Sequence, residues 1–79
     1  MSIKDAVVQR FRNIITERGI AINEMANLSG VTPSTAYSMM DTNRQDLSIR
    51  TIKKFCDGLD ISLKEFFDDP VFDGLDLEI

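Results

Sequence analysis

Residues 22–40 read INEMANLSGVTPSTAYSMM, and the reading of the chain turns on them. Two short stretches of helical spacing meet across Ser29-Gly30-Val31-Thr32. Gly30 tolerates the positive φ that a sharp turn needs. Thr32 offers a hydroxyl acceptor to the first turn of the next helix. Pro33 follows at the first helical position, where its missing N–H is harmless and its φ is already helical. Ala26 is thin where a second helix must cross the first. Met25, Val31, Ala36 and Met39 are placed to point back at that junction. The spacing predicts two helices, about 22–29 and 33–41, crossing steeply over a turn of about three or four residues.

The flanking sequence extends this to five helices. Ser2 caps a first helix from about Ile3 to Arg18, with Asp5 near its positive end. Val7, Phe11, Ile14 and Ile15 form its core stripe, Arg10, Arg12 and Arg18 lie mostly off it, and Gly19 ends it. The second helix has Ala21 at its cap, with no side-chain acceptor, and offers Met25, Ala26 and Leu28 for packing. Thr42 to Asp46 form a polar loop after the third. Ser48 caps a fourth helix, about Ile49 to Gly58, with Ile49, Ile52, Phe55 and Cys56 on one face. Ser62 and Glu65 make the capping box of a short fifth helix carrying Leu63, Phe66 and Phe67, and Pro70 stops it. In the tail VFDGLDLEI, Phe72, Leu75 and Ile79 share one side if helical, although Gly74 and the acids interrupt. Nothing alternates as a strand does, so the fold class is all-α.

Composition narrows the functions. At 79 residues the chain is one domain with a modest core. It has no histidine and one cysteine, Cys56, which removes the commonest general base and any Cys/His zinc site. No enzyme activity, cofactor, metal or small-molecule ligand is expected. No apolar run approaches the roughly 18 residues of a membrane span, the N-terminus does not read as a secretion signal, and a lone thiol fits a cytoplasmic protein. The formal net charge of −4 hides an asymmetry. All nine bases lie in residues 1–64 beside seven acids, whereas residues 65–79 hold six acids and no base. The body is mildly basic and the tail acidic.

The segment is a helix-turn-helix pattern, and it resembles the DNA-binding domains of the phage-repressor and Cro type, the lambda-repressor-like family. The resemblance covers about residues 7–67. It is carried by ERGI closing the first helix, by INEMANLSGVTPSTAYSMM, by the loop DTNRQDLS, and by TIKKFCDGLDISLKEFF. It implies a five-helix DNA-binding domain over residues 1–69. Its second motif helix, 33–41, would enter the major groove of double-stranded DNA with N-terminal side chains on base edges. Mapped here, the implied DNA-binding residues are Thr32, Pro33, Ser34, Thr35 and Ser38, with Tyr37 beside them. Asn43 and Arg44, with Thr42, would meet phosphates from the loop. The backbone at Ala21 and Ile22 would meet another.

The residues also carry plainer readings. Ser and Thr near a helix start often act as local caps. Their hydroxyls suit either donors or acceptors on bases and discriminate poorly. Tyr37 either reaches a phosphate or half-buries against the loop. Lys53, Lys54 and Arg50 fit a solvated face. Met25, Met39 and Met40 fit packing, and Cys56 a buried thiol. Phe66, Phe67, Phe72 and Leu75 exceed what the fifth helix needs for its own core. Residues 70–79 are therefore expected either to fold back over the body or to join two subunits, and the last helix and tail are the expected homodimer surface. The leading function is a sequence-specific transcriptional regulator, a small repressor. The alternative is a protein-interaction module of the same fold, antitoxin-like or a regulatory subunit, with weak or lost DNA binding.

Overall fold

The computed structural model describes residues 1–78 and is all-helical over them. Five α-helices run in the order α1 (Ile3–Arg18), α2 (Ile22–Ser29), α3 (Pro33–Met40), α4 (Ile49–Gly58) and α5 (Leu63–Phe67). A single 3₁₀ turn, Pro70–Phe72, follows. The helix starts are set by the expected hydroxyls. Ser2, Thr32, Ser48 and Ser62 each accept the backbone N–H three residues on, which satisfies a donor that has no partner within the helix. Ala21 caps α2 without any side-chain bond. Gly19 and Gly30 end α1 and α2 at φ 67° and 68°. Asp60, after α4, holds φ 59° without being glycine; aspartate is among the few residue types that enter this region readily.

The core gathers one face of every helix. Val7, Phe11, Ile14 and Ile15 of α1 meet Met25 and Ala26 of α2, Ala36, Met39 and Met40 of α3, Ile52, Phe55 and Cys56 of α4, and Phe66 of α5. Phe11 is the hub, packing edge-on against Phe55 at 5.4 Å and tilted against Phe66 at 4.4 Å. α2 and α4 approach closely at Gly58. A Cβ added to Gly58 would stand 2.5 Å from Ser29 Oγ and 2.8 Å from the Leu28 backbone, so only glycine fits there.

Three expectations are corrected. The third helix stops at Met40, and Asp41 is its extended cap at ψ 106°, so it does not run to 41. Leu28 is 53 % exposed and Ile49 63 % exposed. The Leu28 backbone is pressed against Gly58, which leaves its side chain outside the junction. Ile49 occupies the first turn of α4, before that helix reaches the core. Residues 70–72 form a 3₁₀ turn, started by Asp69 Oδ1 accepting from Val71 N–H at 2.9 Å.

The tail lies on its own chain. Phe72 packs 5.7 Å from Phe66 and 5.0 Å from Phe67. Asp69 pairs with Arg10 at 3.3 Å. Further on, Asp76 N–H donates to Met1 O, the amino terminus pairs with the Asp76 carboxylate at 2.8 Å, and Glu78 Oε2 accepts from Ile3 N–H at 2.9 Å. The tail carboxylates thus sit at the positive end of α1, where negative charge is stabilising. The expectation placed on Ile79 falls outside the described residues.

Candidate nucleic-acid interface

α2 and α3 form the two arms of the motif, and the burial of α3 sets what it displays. Ala36, Met39 and Met40 are buried and fix the helix to the core. This leaves Pro33, Ser34, Thr35 and Tyr37 exposed and Ser38 half-buried at the rim. These are the residues expected to meet base edges, and the fold brings them together on one outward face. Tyr37 is 53 % exposed.

The hydroxyls at the start of α3 are linked to one another. Thr32 Oγ1 lies 3.1 Å from Ser34 Oγ and 2.9 Å from Thr35 Oγ1, and it accepts Thr35 N–H at 3.3 Å. The capping reading of Thr32 therefore holds, and Ser34 and Thr35 share its network. Ser38 Oγ and the Tyr37 hydroxyl have no partner among the described residues.

The loop after α3 is shaped by its own side chains. Asn43 N–H donates to Asp41 Oδ1 at 2.9 Å, and Arg44 Nε stands 4.0 Å from Asp41 Oδ2. Arg44 remains largely exposed, and an exposed pair of this kind is weak enough to open for a stronger partner. Gln45, which sequence reading passed over, ties the loop to the chain start. It accepts from Ser2 Oγ at 2.7 Å and donates to Thr42 O at 2.7 Å and Asp5 Oδ1 at 3.4 Å. The N–H groups at the start of α2 have no capping side chain, so that helix end is open to an external acceptor.

Basic residues divide between scaffold and surface. Arg10 donates to Phe66 O at 2.8 Å and Glu65 O at 3.1 Å, and Arg18 donates to Leu59 O at 2.6 Å. Both guanidinium groups hold α1 to the ends of α4 and α5, satisfying helix carbonyls. Lys53 pairs with Asp57 one turn on. Arg12, Arg50, Lys54 and Lys64 are exposed. Lys4 is buried at 1 % exposure and donates to Asp46 O at 3.0 Å. The sequence held the signal for Lys4: it precedes Val7 by three residues and Phe11 by seven, which places it on the apolar stripe of α1.

An all-helical chain whose second motif helix presents a capped, hydroxyl-rich face beside an arginine-bearing loop is built as a helix-turn-helix nucleic-acid-binding domain. Comparison with known families agrees: a Cro/C1-type HTH DNA-binding domain matches residues 10–70. The chain belongs to that family, whose members are DNA-binding regulators and typically not enzymes. No curated protein and no solved structure matched it. No helix of the described residues is long and apolar enough to cross a membrane.

Proposed function

We propose that this chain is a sequence-specific transcriptional regulator, a small repressor, that inserts α3 into the major groove of its operator. The observation that carries this reading is the outward face of α3. Pro33, Ser34, Thr35, Tyr37 and Ser38 are grouped there while Ala36, Met39 and Met40 anchor the opposite side. Pro33 and the Thr35 methyl offer apolar contact to a thymine methyl, and the hydroxyls offer single hydrogen bonds to base edges. Thr32 serves through the cap. Asn43 and Arg44 contact phosphates from the loop, and the open start of α2 supplies backbone N–H groups to another. Residues 1–69 form the DNA-binding unit, with 70–79 as an acidic tail. Two copies join through α5 and the tail, so that two recognition helices address symmetric half-sites. The protein acts in the cytoplasm.

A second reading is a protein-interaction module, antitoxin-like or a regulatory subunit, with weak DNA affinity. One observation favours it: Arg10 and Arg18 are committed to backbone carbonyls and Lys4 is buried, which thins the positive surface. A gel shift against the DNA upstream of its own gene at low salt separates the two. The regulator gives a specific shift whose affinity falls with salt, at a logarithmic slope of roughly −0.9 per phosphate neutralised. No specific shift at micromolar protein leaves the interaction module standing.

A further inference from the structure

Lys4 is the one charged residue that is buried among those described, at 1 % exposure. Its ammonium carries three donors. The Asp46 carbonyl accepts one at 3.0 Å, and no described carboxylate pairs with it. A cation taken out of water with neither a counter-charge nor a full set of acceptors is an expensive arrangement. The bond to Asp46 O ties α1 to the loop before α4 but uses one of the three donors and supplies no counter-charge.

Lys4 stands in the wall of a recess of about 250 Å³, between the start of α1, the rim of α3 and the first turn of α4. A liquid water takes up about 30 Å³, so the recess has room for a polyatomic ion. Ser38, Ser48 and Thr51 line it as well. The hydroxyls of Ser38 and Thr51 have no partner among the described residues. Ser48 Oγ accepts Thr51 N–H at 3.2 Å and keeps its own O–H to give. The wall also includes the positive end of α4, a helix of ten residues. The exposed Asp46 carboxylate is the one nearby group that opposes an anion.

We propose that this recess seats a phosphoryl oxyanion, with Lys4 as its cation and Ser38, Ser48 and Thr51 as hydroxyl donors. The donors come from three helices and so converge from different directions. A tetrahedral oxyanion presents oxygens to all of them, whereas the two oxygens of a carboxylate lie in one plane. The phosphoryl group has two possible sources. One is free phosphate or a phosphomonoester. The other is a backbone phosphate of a duplex lying on α3, which rests on the DNA-binding reading above.

Titration of the intact ¹⁵N-labelled protein with inorganic phosphate, at ionic strength held constant with chloride, tests the seat without DNA. Saturable shifts confined to the amides of Lys4, Ser38 and residues 46–51 are expected, with affinity reduced roughly tenfold or more in Lys4→Met. Thr51→Val and Ser38→Ala weaken it too, and they serve if Lys4→Met fails to fold. In the DNA arm, a backbone source predicts that Lys4→Met lowers the logarithmic salt slope by about one, with competition by phosphate. A free source predicts phosphate binding with the DNA slope unchanged. Absence of saturable phosphate shifts, together with an unchanged salt slope in the variants, overturns the seat. If the wild-type protein binds no DNA, the regulator reading fails and the phosphate titration alone decides this one.

Discussion

Thr32 Oγ1 stands 2.9 Å from Thr35 Oγ1 and accepts the Thr35 N–H at 3.3 Å, so the first turn of α3 is closed by its own hydroxyls. The same oxygen lies 3.1 Å from Ser34 Oγ. A cap that also holds two side chains of the interface links helix stability to recognition. Thr32→Ala removes it and is expected to lower stability by about 1 kcal/mol. Its effect on DNA affinity should exceed that of Pro33→Ala, because Ser34 and Thr35 lose their common partner. Thr32→Ser restores both. Urea unfolding and a gel shift on the same three variants check this, and equal DNA binding by Thr32→Ala and wild type refutes the link.

Gly58→Ala is expected to be among the most damaging single-methyl additions. The new Cβ would meet Ser29 Oγ at 2.5 Å and the Leu28 carbonyl carbon and oxygen at 2.8 Å. Ser29 Oγ is a side-chain end and can turn, and it is itself buried without a partner. The Leu28 backbone cannot turn without moving α2. A loss of about 1–3 kcal/mol follows, together with weaker DNA binding, since α2 and α3 move together. Thermal unfolding within a degree of wild type contradicts this.

Arg10 ties α1 to the end of α5 by two carbonyl bonds and to Asp69 by an ion pair at 3.3 Å. It also lies over the Phe66 ring, 5.8 Å from its centroid. Its side chain is 17 % exposed and that of Asp69 26 %, so solvent screens the pair only in part. Arg10→Met strands the Phe66 and Glu65 carbonyls and should lower stability by roughly 2–3 kcal/mol. Asp69→Asn should cost less, because the carbonyl bonds survive. A double-mutant cycle reads the coupling, and additive effects would place the stabilisation wholly in the carbonyl bonds.

Cys56 is fully buried beside Phe55, and desolvation, aided by Asp57, pushes its thiol up to about 11 from 9.0. Its neutral form is therefore favoured in the fold. The unfolded chain releases this proton first as pH rises, so the contribution to stability is whole below about pH 9 and declines between 9 and 11. The decline amounts to roughly 2–3 kcal/mol. Cys56→Ala starts less stable because of its cavity, yet it should lack this part of the alkaline slope. Parallel urea titrations across that range test it, and thiol alkylation of the native protein at neutral pH should be slow.

The tail reaches the interface through the chain start. Glu78 accepts from Ile3 N–H, and Ser2 donates to Gln45, which in turn donates to Thr42 O in the loop after α3. Neutralising Asp73, Asp76 and Glu78 as amides removes three charges while leaving Asp69 and Phe72 in place. Tighter non-specific DNA binding is expected, most visibly at low salt. Unchanged binding rejects competition between tail and DNA.

Much of this molecule is determined by its sequence alone, because its signals are local. A capping hydroxyl acts three residues away, a glycine acts on its own φ, and a stripe such as Val7, Phe11 and Ile14 reports one helix face; these set the elements and the helix-turn-helix. The exposure of Leu28 and Ile49 was not legible in this way, since spacing marks a face but not what stands opposite it. Nor was the pairing of Asp69, which caps the 3₁₀ turn at 70–72, with Arg10 of α1. The candidate site divides along the same line. That α3 displays Ser34, Thr35 and Ser38 follows from period and capping. That Arg10 and Arg18 face carbonyls, that Gln45 ties the loop to Ser2 and that Lys4 bonds the Asp46 carbonyl were decided by tertiary structure. These contacts join residues about 40 to 55 positions apart. A charged side chain's partner depends on which chain ends the packed core brings within reach, and no local pattern encodes that.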